Sequence, residues 1–429
     1  MRIHSNHKGF FRNYNSRTWE NNIELHNLSN PRIVPEFINS LKRLHFKFKH
    51  SEINIHLENI DKVHTYPTIP IVALIEYFKK VLNVKINYIN PPTYLKKVHF
   101  FNPDDQDEIT FNPTNNYLDR IWTFKSSKDV HNLVDGFISS IRKSIECEAG
   151  VLDAFTWGFN EIMDNVIVHS EANIGFVMAQ CLKDSKQVQV CIYDYGKGIY
   201  NSLSNSIYRP RNAADAISFA IQEGVTRDKR VGQGNGMWGL YNLVTQNNGN
   251  LSILSGRGGL VYSNTKQKVD TYKDVIMLSP KQQSTTVSFR LSVDKEISIK
   301  KAIKGLEMVD LFVENLENEF DQIEYKIIEQ SSGTGTRQSG ERIRNELINI
   351  FKVSKKVIHI DFMGVGIISS SFADELIGKL IVQLGIFQFQ NVFRLKNMNE
   401  TIQIIVQRSV SQRMAESIEK PDSGATQRK

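Results

Sequence analysis

Hydrophobic and polar positions recur with two different periods along the chain, and together these periods predict a mixed α/β protein. In the first part, strand-like runs at 53–57 and 84–89 flank a helical pattern at 69–82. A strand, a crossover helix and a second strand are typical of a βαβ unit in a parallel sheet. Residues 102–116 are rich in Asn, Asp and Pro, which predicts a loop and a domain boundary.

The middle of the chain shows helical patterns that lead into strand-like runs. The helical patterns cover 127–146, 151–169 and 213–223, and the strand-like runs cover 174–178, 188–192, 251–254 and 286–291. Helices followed by an antiparallel sheet predict an α/β two-layer sandwich.

The last part of the chain predicts another α/β region. A charged helical pattern at 299–319 precedes a strand at 325–329, a helix at 338–351, a strand at 357–362 and a helix at 372–384. We expect the polar residues 416–429 to be disordered. The predicted organisation is an N-terminal α/β domain (1–125), a central domain (126–295), a helical connector (296–320), a C-terminal α/β domain (321–415) and a disordered tail (416–429).

Composition agrees with a globular protein of several domains. The 429 residues exceed what a single hydrophobic core usually serves. An apolar fraction of 40% and a charged fraction of 23% are ordinary values. The net charge of +7 comes from interspersed residues and predicts a solvated mixed surface rather than an anionic partner. We do not expect nucleic acid as a partner, because binding it requires a basic stripe with stacking aromatic residues.

Cysteine usage and apolar run length bear on the location of the protein. Cys147, Cys181 and Cys191 form no Cys-x-x-Cys pair, which predicts buried, reduced thiols rather than a disulfide framework or a zinc site. No apolar run reaches the ~20 residues that cross a bilayer. Residues 1–15 contain no apolar stretch like that of a signal peptide. We therefore expect a cytoplasmic protein without a membrane segment.

The first of three candidate motifs runs from Asn160 to Asn165. Glu161 and Asn165 are four residues apart in a helical pattern, so they share one face, with β-carbons about 6 Å apart. The Asn165 amide oxygen is a hard ligand that suits Mg²⁺, and the Glu161 carboxylate could act as a general base on a metal-bound water. His169 lies on the same face. A solvent-exposed helix face would give the same pattern, which is expected about once by chance in a chain of this length.

Asp194 begins the second motif, which continues through Gly196 and Gly198. Asp194 shares strand parity with the apolar residues of the run 188–192, so we expect its carboxylate to point inward. A buried carboxylate requires a hydrogen-bond donor, and the exocyclic amine of adenine is one. The two glycines would let the backbone turn closely against a flat base. A plain Asp-Gly turn is the alternative.

The third motif is a glycine-rich segment ahead of the helical pattern at 240–246. Its glycines are Gly232, Gly234, Gly236 and Gly239. Glycines at a helix start expose N–H groups to an anion. No strand directly precedes them and no Gly-Lys-Ser/Thr ends the segment, which argues against dinucleotide and Walker-type sites. The basic residues upstream could form a mobile lid over a triphosphate or an ordinary surface loop; they are Arg209, Arg211, Arg227, Lys229 and Arg230.

In order, spacing and content, the three motifs resemble the GHKL ATPase superfamily of gyrase, heat-shock chaperone, histidine kinase and mismatch-repair ATPase domains. Residues 160–169 resemble its N box, 194–198 its first glycine box and 232–240 its second. The resemblance implies a GHKL (Bergerat-type) α/β two-layer sandwich at 126–295 that binds ATP and Mg²⁺.

The GHKL resemblance also implies roles for individual residues. Asn165 would bind Mg²⁺, Glu161 would activate water or an acceptor hydroxyl, and Thr285 would help Asp194 to hold adenine. The implied ATP-binding residues are Asn165, Asp194, Gly196, Gly198, Gly232, Gly234, Gly236, Gly239 and Thr285. Met237 and Trp238 stand where the family has a single hydrophobic residue. We expect no conventional sensor histidine kinase, because no acceptor histidine helix precedes the central domain and no transmembrane sensor is found.

Residues 361–376 resemble the STAS-like domain of unknown function that often accompanies GHKL ATPases, a distant relative of anti-sigma-factor antagonists. In those antagonists a GHKL serine kinase phosphorylates a serine at the start of a helix, and Ser370 occupies that place. Ser369 replaces the usual preceding acidic residue. The serines at 369–371 could instead cap the helix. Residues 1–125 are a further candidate for a degenerate STAS-like domain, with Pro67 near the acceptor place.

The two resemblances imply a cytoplasmic, Mg²⁺-dependent ATP-binding regulator that signals through a STAS-type or other protein partner. As an enzyme it would be an anti-sigma-factor-like serine kinase or a slow ATPase, with Glu161 as the base, acting on Ser370 or on a partner. The alternative is a non-catalytic switch, in which ATP binding changes the partner that the flanking domains hold.

Overall fold

The computed structural model of the chain describes residues 11–12, 15–103, 109–172, 174–225, 235–277, 283–305 and 308–419. The side chains of residues 11–12, 169 and 416–419 lie outside this description. Within it the chain forms three β-sheets and accompanying helices, a mixed α/β architecture. The chain divides into two compact units: unit 1 comprises 1–110, 117–135 and 154–292, and unit 2 comprises 111–116, 136–153 and 293–429.

Unit 1 contains a five-stranded sheet with the order β1-β2-β3-β4-β5. The strands are β1 (Phe11–Arg12), β2 (Ser16–Trp19), β3 (Asn22–Leu25), β4 (Glu52–His56) and β5 (Lys85–Ile89). The helices of this region are α1 (Ile33–Leu41), which continues into a π-helical turn (Lys42–Lys47), α2 (Thr65–Lys80) and α3 (Tyr94–Lys97). Helix α2 connects the parallel strands β4 and β5, so the predicted βαβ unit is confirmed.

A second sheet of unit 1 has seven antiparallel strands in the order β11-β10-β9-β12-β8-β7-β6. The strands are β6 (Trp122–Phe124), β7 (Gly175–Leu182), β8 (Gln187–Asp194), β9 (Asn250–Ser255), β10 (Gly258–Ser263), β11 (Lys268–Tyr272) and β12 (Thr285–Ser292). The helices that follow β6 are α4 (Ser127–Ser144), α5 (Val151–His169), α6 (Gly198–Leu203), α7 (Ala213–Ala220) and α8 (Gly236–Gln246). The chain passes from unit 1 to unit 2 within α4 and returns within α5.

Both faces of the seven-stranded sheet are covered within unit 1. On one face Val190 pairs with Phe289, whose ring lies 6.0 Å from that of Phe155 on α5. On the other face Cys191 and Tyr193 join a buried cluster that includes α2 and the five-stranded sheet. The predicted boundary at residue 125 therefore lies inside unit 1, where residues from both sides of it share one core.

Unit 2 contains a three-stranded parallel sheet, β13-β14-β15, and, among its described residues, eight helices besides the end of α4 and the start of α5. The strands are β13 (Ile323–Lys326), β14 (Ile358–Asp361) and β15 (Phe393–Lys396). The helices are α9 (Ile299–Ala302), α10 (Leu311–Glu314), α11 (Ile327–Gln330), α12 (Arg337–Ser354), α13 (Ser370–Ala373) with a π-helical turn (Asp374–Gly378), α14 (Lys379–Leu384), α15 (Ile386–Val392) and α16 (Glu400–Glu419). Strands and helices alternate because each strand of a parallel sheet needs a crossover to the next.

Three sequence-based expectations for unit 2 are wrong. The helix expected at 299–319 is interrupted: Gly305, at φ +88°, donates to the Lys300 carbonyl and ends α9, and Asp310 caps a new helix, α10. The strand expected at 325–329 ends at Lys326 and gives way to α11. Helix α16 continues to Glu419, so residues 416–419 are helical rather than disordered. Residues 420–429 lie outside the described part of the chain.

Among the described residues, no helix combines the length and the apolar character that crossing a membrane requires.

Candidate functional site

A row of polar residues crosses the seven-stranded sheet at one end of β8, β12 and β9. Asp194 ends β8 and pairs with Thr285, which begins β12, and Thr285 pairs with Ser255, which ends β9. The hydroxyl oxygens of Ser255 and Thr285 are 3.1 Å apart. Sequence reasoning singled out Asp194 and Thr285 but missed Ser255, because only the strand register brings this serine beside them.

Asp194 is a buried carboxyl group with few partners. It is 4% exposed, as its strand parity predicted. The Gly196 N–H donates to its Oδ1 at 2.7 Å, and its side chain has no other hydrogen bond or ion pair within the described residues. Burial raises the pKa of Asp194 to about 7, and the Gly196 N–H opposes this rise. The group can therefore accept a further hydrogen bond, and a donor would favour its ionised form.

The turn after β8 requires glycine at two positions. A β-carbon at Gly196 would lie 2.1 Å from the carbonyl oxygen of Ser170, which directly follows α5. The N–H of Lys197 donates to the same oxygen at 2.8 Å. Gly198 has φ +76°, and a β-carbon there would lie 2.7 Å from the Gln283 carbonyl oxygen. The turn is thus held against the end of α5 and the start of β12 without side chains in between.

Helix α5 carries the pair predicted to share one face. Glu161 and Asn165 are both half-buried. Neither side chain makes a hydrogen bond or ion pair with another residue of the described part of the chain. Burial, followed by the charge of Asp164, raises the pKa of Glu161. The side chain of His169 lies outside the described residues. Within the described residues, the Asn165 amide and the Glu161 carboxylate one turn away are therefore not engaged by a hydrogen bond or an ion pair.

Helix α8 packs directly on α5 through two glycines. A β-carbon at Gly236 would lie 2.1 Å from Oε2 of Glu161, and one at Gly239 would lie 2.8 Å from Nε1 of Trp157. Any larger residue at either position would displace the side chain opposite. Trp157, one turn before Glu161, was not predicted as part of the site. Its buried Nε1 has no hydrogen-bond partner among the described residues.

The remaining residues of the third motif are only partly described. Gly232 and Gly234 lie outside the described residues, as do Arg227, Lys229 and Arg230. Asn235 stands just before α8, and its Oδ1 accepts the N–H of Gly224 at 3.2 Å. The side chains of Arg209 and Arg211 are exposed, and the predicted lid stays a prediction. The structure thus brings the first motif against the start of α8 and holds the second against the residue that follows α5.

Ser370 lies in unit 2 as the first residue of α13 and is exposed. The preceding residue, Ser369, is the N-cap, and its hydroxyl accepts the Phe372 N–H at 3.0 Å. Its hydroxyl also lies 3.0 Å from that of Ser371. Capping by this serine cluster is confirmed, and it belongs to Ser369 rather than to Ser370.

The π-helical turn after α13 holds a buried carboxylate among cations. Glu375 is 2% exposed. Arg344 donates to its Oε1, Lys379 lies 2.7 Å from its Oε2 and Arg337 lies 3.3 Å from the same atom. Burial acts to raise the pKa of Glu375, but the hydrogen bonds from Lys379 and Arg344 outweigh it and hold the pKa below its ordinary value.

Comparison with protein families bears on the C-terminal part of the chain. Residues 339–403 match the family described as a STAS-like domain of unknown function (DUF4325). The STAS-like domain predicted there is therefore confirmed. No curated protein matches the chain in sequence. Within the described residues, no group of three or more His, Cys, Asp or Glu side chains is arranged to hold a metal ion.

Proposed function

We propose that unit 1 binds ATP and Mg²⁺ in a GHKL-type site and that the protein is an ATP-dependent regulator, an anti-sigma-factor-like serine kinase or slow ATPase. The observation that carries this proposal is Asp194. It is a buried carboxyl group at a strand end, with one N–H donor among the described residues, beside Thr285 and a two-glycine turn. On one face of the antiparallel sheet lie α5 and α8, which supports a GHKL-type helix and sheet pair, while α2 and the five-stranded sheet add a further layer on the other face.

The surroundings of Asp194 fit an adenine base. Its second oxygen can accept from the exocyclic amine, and the hydroxyls of Thr285 and Ser255 can exchange hydrogen bonds with ring nitrogens. Because burial raises the pKa of Asp194 to about 7, ionisation of this carboxyl group costs free energy, which a hydrogen-bond donor on a ligand would recover. Gly198 keeps the chain beside this row free of a side chain.

The contact between α5 and α8 supports the proposal that the phosphates and Mg²⁺ of ATP bind at this place. Mg²⁺ keeps most of its waters and usually takes one or two protein ligands, so the Asn165 amide with phosphate oxygens would suffice. N–H groups at the start of α8, at Gly236, favour an anion, and Gly232 and Gly234 are proposed to add to them. Bound Mg-ATP supplies the transferable phosphoryl group. The raised pKa of Glu161 suits a general base for water or a hydroxyl.

The acceptor in the kinase proposal is a serine of a STAS-type domain. Ser370 is exposed and its hydroxyl makes no hydrogen bond within the described residues, whereas the Ser369 hydroxyl is engaged in capping. Ser370 is therefore the better nucleophile of the two. A serine of a partner protein remains the other acceptor in this proposal.

A non-catalytic switch is the second candidate function. The observation in its favour is that Oε2 of Glu161 lies against the backbone of Gly236. In this arrangement the carboxylate lies in the contact between two helices instead of facing open space. ATP binding would then act by shifting α8 on α5, and the change would reach a protein partner.

Calorimetric titration tests the nucleotide site. We expect wild type to bind ATP more tightly than inosine triphosphate, which has a carbonyl oxygen in place of the amine. Asp194→Asn should weaken ATP binding about 10- to 100-fold, because a hydrogen bond to a charged acceptor is worth about 1.5–3 kcal/mol. Asn165→Ala should abolish Mg²⁺-dependent binding with the fold intact. Asp184→Asn, at an exposed turn of the β7–β8 hairpin, is the matched control. Equal affinity of wild type for both nucleotides would overturn the adenine assignment.

An assay with radiolabelled γ-phosphate distinguishes the three proposed functions, which are serine kinase, ATPase and non-catalytic switch. Wild type, Glu161→Ala and Ser370→Ala are incubated with labelled ATP, with and without Mg²⁺. Label on the protein that is lost in Ser370→Ala supports the kinase. Release of free phosphate that is lost in Glu161→Ala supports the ATPase. Retained ATP binding with neither product supports the switch.

A further inference from the structure

A short stretch of unit 1, residues 42–50, interleaves aromatic and basic side chains. We name it the aromatic–basic segment. It contains Lys42, Arg43, His45, Phe46, Lys47, Phe48, Lys49 and His50. No Asp or Glu occurs between residues 37 and 51. These nine residues therefore combine several positive charges with two phenylalanines and contain no negative charge.

The fold presents this segment on the surface. Its first six residues form the π-helical turn after α1, and Leu44 anchors the turn in the core at 1% exposure. Phe46 and Phe48 are 41% and 47% exposed, although both rings are large and apolar. The ring of Phe46 also meets Phe78 of α2 at a centroid distance of 6.3 Å, which orients it. Nearly half of the surface of each phenylalanine is therefore open, at the end of a turn that Leu44 anchors.

Cations lie beside the exposed rings rather than on a separate face. The Arg43 guanidinium carbon is 5.2 Å from the centroid of Phe48, and Nζ of Lys47 is 5.6 Å from it. Lys47 and Lys49 make no ion pair with another described residue. Carboxylates on two adjoining elements, β4 and α2, have their own cations. Glu52 of β4 pairs with Lys85. Glu76 of α2 pairs with Lys79 and Lys80. The positive charges of Lys47 and Lys49 are therefore not paired with these carboxylates.

Against the expectation from the sequence, we propose that the aromatic–basic segment binds single-stranded nucleic acid, because its cations lie beside exposed rings. Bases can stack on Phe46, on Phe48 or on the guanidinium plane of Arg43, while Lys47 and Lys49 contact the phosphates between them. A membrane-surface helix separates a basic face from an apolar face. Here the sequence from Phe46 to Lys49 alternates ring and cation instead, which favours a chain of bases and phosphates. The proposal does not depend on the nucleotide site of Asp194.

Fluorescence anisotropy with the full-length protein and a labelled oligothymidylate of about 12 nucleotides tests this surface. Phe46→Ser/Phe48→Ser and Lys47→Glu/Lys49→Glu should each weaken binding at least tenfold at low salt. Between about 50 and 200 mM salt, the lysine pair should also reduce the slope of log affinity against log salt by about 1.4, since each phosphate contact on a single strand contributes about 0.7. Phe387→Ser, at an 81% exposed phenylalanine of unit 2, and Lys273→Glu, at an exposed lysine, are controls and should bind like wild type.

Three outcomes would overturn the proposal. One is that wild type does not bind the oligonucleotide; the second is that both segment variants bind it like wild type. The third is binding to phosphatidylserine vesicles, lost in the segment variants, without binding to the oligonucleotide, which would make the surface a lipid site. Circular dichroism of each variant checks folding. If the phenylalanine variant does not fold, the lysine variant alone tests whether the segment binds the oligonucleotide.

Discussion

Asp194 in unit 1 and Glu375 in unit 2 are buried to nearly the same degree, at 4% and 2% exposure, but their partners differ completely. Asp194 has one backbone N–H among the described residues. Glu375 has the cations Arg344, Arg337 and Lys379. Burial raises the pKa of Asp194 to about 7, whereas the pKa of Glu375 lies below its ordinary value.

This difference shows how a structural carboxylate can be told from one that suits a ligand. A buried ion pair with its hydrogen bonds made is complete without any further molecule. A buried carboxyl with one donor gains from a molecule that brings another. The two carboxyl groups therefore differ in their partners rather than in their burial, and stability measurements can test this difference.

The largest effect is expected for Glu375→Ala. Removal of the carboxylate leaves the half-buried Arg344 without an anionic partner, although the backbone carbonyl of residue 375 still accepts from it. The unfolding free energy of unit 2 should therefore fall by about 3–5 kcal/mol. Chemical denaturation measures it. Glu329→Ala breaks an exposed pair with Lys326 and should change stability by less than about 1 kcal/mol. If the two variants lose equal stability, Glu375 has no special structural role.

Asp194→Asn should act on stability in the opposite direction. Because the folded pKa of Asp194 is raised, its contribution to stability is present below the unfolded pKa near 4 and is lost as the pH rises through about 7. The amide cannot ionise, so at pH 8 without nucleotide the variant should be more stable than wild type, on the order of 2–4 kcal/mol. Thermal unfolding of wild type and of Asp194→Asn from about pH 4 to 8 measures this difference in stability.

Carried down to about pH 2 with wild type and Glu375→Ala, the same measurement extends the comparison to Glu375. Its lowered pKa means that its contribution to stability is present above its unfolded pKa and is lost as the pH falls through the lower folded value.

Asp184→Asn serves as the exposed control for Asp194→Asn. A wild-type-minus-variant difference for Asp194 that stays flat across the range would contradict the effect of burial on this group.

The smallest effect separates the two serines at the start of α13. Ser369→Ala removes the N-cap and should cost about 1 kcal/mol in the unfolding of unit 2. Ser370→Ala removes an exposed hydroxyl and should cost less than about 0.5 kcal/mol. Chemical denaturation of both variants gives the result. Equal losses would mean that Ser370 also serves the helix end, which would weaken its case as a phosphate acceptor.

Elements with strong periodicity were predictable from the sequence. The helix predicted at 151–169 is α5 (Val151–His169), and the predicted βαβ unit is present. The sequence pattern did not predict strands β10 and β11, because β10 begins with Gly258 and Gly259 and β11 is half-exposed and polar. Helix α16 was not predicted either, since it buries only a few apolar side chains, such as those of Ile402 and Val406. Weak periodicity carries little local information, and tertiary packing decides such elements.

The sequence by itself determined the candidate residues whose relation is local. Glu161 and Asn165 share a face because a helix repeats every 3.6 residues, and Asp194 is buried because strand side chains alternate. Tertiary structure alone decided the relations between distant segments. Register brings Ser255 beside Thr285, and helix packing brings Trp157 against Gly239. Periodicity reports on neighbours along one element, whereas register and packing depend on every element of the core at once.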